Sequence, residues 1–333
     1  MKHCLALAVV LPSLPLQAVE FSSSLGFYRA WNQGNTIFEI GSRQPDITGV
    51  AGGSRITYPR NFAYTGASLS VYASSLALDL ELAGTGPHVR SGTGRDEDFF
   101  LNSFSREEGA KISLREGKFS DRAYVFSGGR NWADSYGKTD LYEYRARLAA
   151  KFYRTGMADP FLRDGGLYLS TAFAYSYSKY TIYDVIQYNQ VSLIRPSPLS
   201  FSILPIGTGL TFTNVANELS VGLGYMTYMS ESLGLDLGFA PLVGVEKSRD
   251  HHVLRGLTFI MENGGAGFLY NADLLFLVRE GMLIRTGLTG HRLYARGNIR
   301  AYGLDLVYNF LPKQRMYLNT KEWGARLSAE FRL

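Results

Sequence analysis

Two clusters of side chains in this sequence have the types and spacing for acid–base chemistry. One is Asp96-Glu97-Asp98-Phe99, inside a polar stretch that begins at Ser91; the other is Asp250-His251-His252, preceded by Ser248-Arg249. In extended backbone, residues two apart face the same way, so Asp96 goes with Asp98 and Asp250 with His252. A carboxylate beside an imidazole fixes its tautomer and raises its basicity, and two adjacent carboxylates can share one proton. Water held between two such pairs could be deprotonated by His252 while the acids polarise a scissile carbonyl. That is peptide hydrolysis without metal or covalent intermediate. Taken singly, each cluster reads as a solvated polar tip, so the inference depends on the elements that bring the two together.

Those elements read as strands. At the end of the chain Ala325, Leu327, Ala329, Phe331 and Leu333 alternate with Arg326, Ser328, Glu330 and Arg332, which is the period of an extended strand with one apolar face. The same alternation recurs at Leu76 to Leu82, Tyr142 to Phe152, Leu167 to Tyr177, Leu219 to Tyr225, Leu233 to Val245 and Ala266 to Val278. Tight links fall near Ser74-Ser75, Ser230-Glu231-Ser232 and Arg279-Glu280-Gly281, with a medium one from Thr155 to Asp164. Longer polar links run from Ser42 to Arg60, Ser91 to Gly137, Gln187 to Pro205, and Lys247 to about His252. Short turns at one end and long loops at the other are the pattern of an outer-membrane barrel. The expected fold is therefore an all-β, transmembrane, antiparallel up-and-down barrel of ten strands. A piece from Ala301 to Phe310 is either loop structure or the start of a twelve-strand count. Strand 3 is expected to end near Arg90 and strand 7 near Glu246. Both run outward, so they deliver the two acid clusters to the same outer rim.

Composition agrees with this fold. Aromatic residues make up 14% of the 333, led by 22 Tyr and 20 Phe, while the mean hydropathy is only −0.06. A barrel wall is apolar at every second position and so looks average in bulk. The net charge of +5 is spread among acids, which argues against a nucleic-acid partner. Residues 1–18 read as a secretory signal, with Lys2, an apolar run and a small-residue site at Leu16-Gln17-Ala18. That leaves 19–333 as one barrel with extracellular loops in the cell outer membrane. The single cysteine, Cys4, lies in the signal, so no disulfide, thiol catalyst or thiolate metal site is expected beyond it. Neither a metal nor an organic cofactor is called for.

The paired motifs resemble the omptin family of outer-membrane proteases. Asp96-Glu97-Asp98-Phe99 is similar to the family's Asp-x-Asp followed by an aromatic residue, and Asp250-His251-His252 to its Asp-x-His. Arg255-Gly256-Leu257-Thr258-Phe259 follows as the family's eighth strand does, and Phe119-Ser120-Asp121 is similar to its Trp-Thr-Asp. The resemblance implies a ten-stranded barrel with Asp96, Asp98, Asp250 and His252 as catalytic residues and Asp121 beside the substrate cleft. It also implies lipopolysaccharide bound on the outer wall, here at Tyr175-Ser176-Tyr177-Ser178-Lys179, so Tyr175 and Lys179 are the expected lipid-binding residues. The barrel-insertion machinery is the expected assembly partner, although the chain ends on Leu333 where such proteins more often end on Phe. Ser248 stands where the family carries a substrate-binding acid, and Gly34 or Asn35 stands where it carries another on the first strand. The alternative reading is a non-enzymatic barrel: an inactive scaffold of this kind, an adhesin or a small pore.

Overall fold

The computed structural model describes residues 21–41, 52–100, 110–112, 123–125, 131–189, 200–203, 208–253, 256–303 and 314–333. Residues 1–18, expected to be a signal segment, and Asp121 lie outside them. Ten antiparallel strands form a closed ring. Strand 1 is Phe21–Gly41, and strand 2 comes in two pieces, Gly52–Pro59 and Phe62–Ala73. Strand 3 is also divided, into Leu76–Gly84 and Val89–Phe100. Strands 4 to 7 are Asn131–Tyr153, Gly166–Asn189, Thr208–Tyr228 and Leu233–His252. Strands 8 to 10 are Leu257–Arg279, Met282–Gly303 and Gln314–Arg332. Each pairs with its sequence neighbours, and strand 10 closes on strand 1 with Leu25 opposite Phe331 and Ile40 opposite Met316. Closure leaves no unpaired strand edge among the ten, which is the condition for a sheet to cross a bilayer.

The strands rise well beyond the segments that read as strands in the sequence. Strand 3 continues past Arg90 to Phe100, and strand 7 passes Glu246 to end at His252. Both acid clusters are thus in the wall and not in loops. The reason is physical: above the lipid, an outward position can be polar without cost, so apolar alternation stops while main-chain pairing goes on. Pairing indeed continues there, with Arg95 opposite Thr57 and Tyr136, and His252 opposite Leu210 and Leu257. The expected links from Ser42, Ser91 and Gln187 are shortened in the same way by Gly52–Pro59, by the start of strand 4 at Asn131, and by the short strand Ser200–Ile203 paired with the end of strand 5. Ala301 belongs to the end of strand 9, so the ring holds ten strands and not twelve.

The wall alternates as a lipid-facing sheet must. Phe173, Leu219, Leu223, Phe239, Val243, Phe276, Leu288 and Leu327 are exposed outward, and their neighbours point inward, where a lumen of this width is filled by side chains. Near the outer end Phe38, Tyr58, Tyr180 and Phe212 form an aromatic layer. Tyr58 stacks on Phe212 at 4.4 Å between centroids, and Phe38 meets Phe212 edge-on at 4.8 Å. Below it lies a charged layer centred on Arg60, at the break between the two pieces of strand 2, where Pro59 has no main-chain donor. The Arg60 guanidinium donates to Glu143 Oε2 at 2.7 Å on strand 4, to Glu322 Oε2 at 2.8 Å on strand 10 and to Tyr180 Oη at 2.7 Å on strand 5. Arg145 donates to the same Glu322 at 2.7 Å, and Asn32 bonds to it as well. Deeper still, Asp236 accepts from Tyr168 Oη at 2.6 Å and Lys151 Nζ at 3.1 Å. The Tyr168 ring crosses strand 6 over Gly224, where any Cβ would sit 2.1 Å from that ring. At the turn end, Pro160, Phe161, Tyr72, Tyr153 and Leu275 close the mouth, and Asp159 accepts from Ser22 Oγ at 2.6 Å and pairs with Arg332 at 3.0 Å.

Removing one partner of a buried ion pair leaves the other charge unsolvated, at a cost of about 3 to 5 kcal/mol. Arg60→Met should therefore lower the unfolding midpoint strongly, whereas Arg60→Met and Arg145→Met combined with Glu143→Gln and Glu322→Gln, which removes all four charges, should recover most of it. Denaturant titration, followed by heat-modifiable gel migration, measures both; equal destabilisation of the single and quadruple variants would count against the ion network as the source.

Candidate functional site

Strand 7 builds one side of the candidate site. Glu246, Ser248 and Asp250 are buried on its inward face, in line with His252, while Val245, Lys247 and Arg249 are exposed outward between them. Asp250 is 1% exposed, held between Phe212 on strand 6 and Phe259 on strand 8 as its cross-strand partners. Its Oδ2 lies 3.2 Å from His252 Nε2. With the proton on Nε2 the ring donates to the carboxylate, and Nδ1 is the basic nitrogen. The His252 ring also meets Phe259 edge-on at 5.3 Å, so its plane is set by packing as well as by hydrogen bonding. Asp250 Oδ1 is buried with no hydrogen-bond partner among the described residues. His251 is directed the other way: its Nδ1 is 2.9 Å from Thr258 Oγ1, its neighbour across to strand 8.

The two aspartates of the other cluster are in the outer piece of strand 3. Asp96 is opposite Ile56 and Ser135, and Asp98 opposite Ser54 and Ala133. Strands 3 and 7 both run outward, so the two motifs are at the same end of the barrel. They stand on opposite walls, with strands 4, 5 and 6 between them on one side. The structure thus brings Asp250 and His252 into contact and assigns Asp96 and Asp98 a common outer level. Ser248 is engaged in the wall, its Oγ donating to Asn214 Oδ1 at 2.8 Å. Strand 1 supplies no acid at the looser position, because Gly34 falls on the inward register and Asn35 on the outward one. On strand 5 Tyr175 and Lys179 share the outward register, Tyr175 beside Tyr144 at 6.3 Å and Lys179 exposed opposite Tyr142.

Sequence reasoning passed over the polar groups beneath this level. His291 Nε2 is 3.0 Å from Glu218 Oε1, and Glu246 lies close by, 4% exposed, with one carboxylate oxygen lacking a partner among the described residues. These groups border a cavity of about 320 Å³ that also touches Arg60, Arg145 and Glu322. Glu246 was findable, being two residues before Ser248 on the same face. His291 was not, because its partner is 73 residues away in sequence.

Residues 43–327 match the profile of a family described as "Putative porin". The chain belongs to that family. No curated protein matches its sequence. Among solved structures it is similar to the outer membrane protease OmpT from Escherichia coli, at 10% identity and a TM-score of 0.65, covering 94% of this chain and 97% of that one. It is also similar, at TM-scores of 0.35 and 0.29, to the translocator domain of the autotransporter NalP from Neisseria meningitidis (10% identity, 96% and 90% coverage) and to the outer membrane protein OprG from Pseudomonas aeruginosa (8% identity, 92% and 96% coverage). The first likeness is one of fold alone, so the omptin resemblance rests on barrel architecture and on the motifs, while the sequence family is the porin one. Family and fold together make this an outer-membrane β-barrel in contact with membrane lipid.

The stacked aromatic layer and the ion network place side chains across the lumen at two levels. Purified protein in a planar bilayer should show no stepwise conductance at moderate voltage. Stable unitary currents from the parent protein would mean that the filled lumen opens.

Proposed function

We propose that the protein is an outer-membrane surface endopeptidase that hydrolyses peptide bonds with an activated water. The observation that carries this reading is the buried Asp250 carboxylate hydrogen-bonded to His252 at the outer end of the barrel. In the proposed mechanism His252 Nδ1 takes the proton of a water standing in the mouth, and Asp250 orients the ring and stabilises the imidazolium that forms. Asp96 and Asp98 share a proton, position the water from the facing wall and donate to the carbonyl oxygen as negative charge develops on it. The reading draws further support from the fold likeness to the outer membrane protease OmpT. Asp121 is proposed as an acid beside the cleft and Ser248 as a substrate-facing position. Tyr175 and Lys179 are proposed as a lipid-binding pair through which lipopolysaccharide could be required for activity.

A second reading, a narrow pore, is favoured by the family's description and by the internal cavity. The side chains packed across the lumen weigh against it, and the bilayer measurement separates the two.

His252→Ala should lower peptide hydrolysis by roughly 10²- to 10⁴-fold, the usual worth of a general base, with the barrel intact. His251→Ala should cost far less, since its ring is held by Thr258 on the outer face. Refolded variants compared in a peptide digest test this. Equal losses would remove His252 from its assigned role, and an inactive parent would leave the pore or scaffold reading.

Specificity follows from Ser248. Its hydroxyl is committed to Asn214, and Arg249 beside it is exposed on the outward side. A substrate cation therefore has no carboxylate at that position, and digestion of an unbiased peptide library should show relaxed preference beside the cleaved bond. Strict cutting between two basic residues would overturn this assignment.

A further inference from the structure

The outward face of strands 9 and 10 carries an unusual conflict. Arg292 on strand 9 is directly opposite Lys321 on strand 10, and like charges at such positions repel. Neither has a carboxylate within ion-pair distance among the described residues. Glu262, an outward-facing acid on strand 8, pairs with Lys247 at 3.5 Å, and Glu322, next to Lys321 in sequence, points inward to Arg60 and Arg145. Arg292 Nε is buried without a hydrogen-bond acceptor among the described residues. A third cation, Arg296, is on the same face opposite Tyr317. The guanidinium of Arg292 is held over the Tyr294 ring at 4.5 Å and that of Arg296 over Tyr317 at 5.6 Å.

The height of the conflict identifies the medium around it. Below it the outward face of these strands is apolar or aromatic, with Leu288, Trp323 and Leu327 exposed. At ~3.4 Å per residue and a tilt of ~40°, the climb from Met282 at the turn to Arg292 is about 25 Å, the height of the apolar band of such barrels. The cations thus stand where the outer-leaflet headgroups begin, among tyrosines of the interfacial girdle. Lys179 on strand 5 is another outward cation, but its cross-strand neighbours are Tyr142 and Thr213, so no second cation is directly opposite it.

We infer that Arg292, Lys321 and Arg296 form a binding site for the phosphate group of an anionic lipid in the outer leaflet. A phosphate between Arg292 and Lys321 turns their repulsion into two attractions and supplies acceptors to the guanidinium, while Tyr294 and Tyr317 flank the lipid's upper chain segments.

The test uses full-length protein refolded in neutral detergent and incubated with phosphatidylglycerol or phosphatidylcholine at equal mole fraction, with bound lipids counted by native mass spectrometry. The parent should retain phosphatidylglycerol preferentially, by about fivefold for each basic residue engaged. Arg292→Gln with Lys321→Gln should abolish most of that preference, and each single variant should lose part of it. Lys247→Gln, higher on the outward face and already paired with Glu262, should retain it. The double variant should also unfold no earlier than the parent in lipid-free detergent, because a repulsion has been removed. Unchanged preference in the double and both single variants, no preference in the parent, or full displacement of phosphatidylglycerol by millimolar inorganic phosphate would each overturn the site.

Discussion

Arg60 is the group on which the interior depends. A closed ten-stranded sheet turns half of its side chains into a space with little water, and every charge there must be answered by another. Arg60 answers Glu143, Glu322 and Tyr180 at once, tying strand 2 to strands 4, 5 and 10 across the lumen. Arg145 shares both carboxylates, so the network is a lattice of alternating sign and not a set of separate pairs. Arg60 sits at the break between the two pieces of strand 2, on the same inward register as Ile56, Tyr58 and Phe62, so the alternation that builds the wall also directs it into the lumen.

Filling the lumen in this way divides the molecule into two ends with different properties. Towards the turns, Asp236, Lys151, Arg285 and the short helical turn at Pro160–Leu162 close the barrel. Towards the exterior, the aromatic layer of Phe38, Tyr58, Tyr180 and Phe212 forms a floor. Asp250 is a cross-strand neighbour of Phe212, so the Asp250–His252 pair is backed by an apolar surface that limits water on one side and leaves access from the other. The porin-family membership and the ten-stranded barrel are compatible at the level of architecture, since a barrel scaffold does not by itself dictate function.

Much of this was legible in the sequence. Period-two alternation in segments such as Leu233 to Val245 determined the wall, the tight links determined the direction of strands 3 and 7, and i, i+2 spacing determined that Asp250 pairs with His252 and not His251. These features are local, and strand geometry alone converts them into structure. What the sequence could not determine was where strands stop once they leave the lipid, because outward residues such as Lys247 and Arg249 no longer need to be apolar there while hydrogen bonding between main chains continues. Nor could it reveal which distant residues meet in the lumen. Arg60 with Glu322, His291 with Glu218, and Arg292 facing Lys321 are set by the register of strands far apart in the chain. Only the closed barrel, in which every strand's register is constrained by both neighbours, decides those contacts.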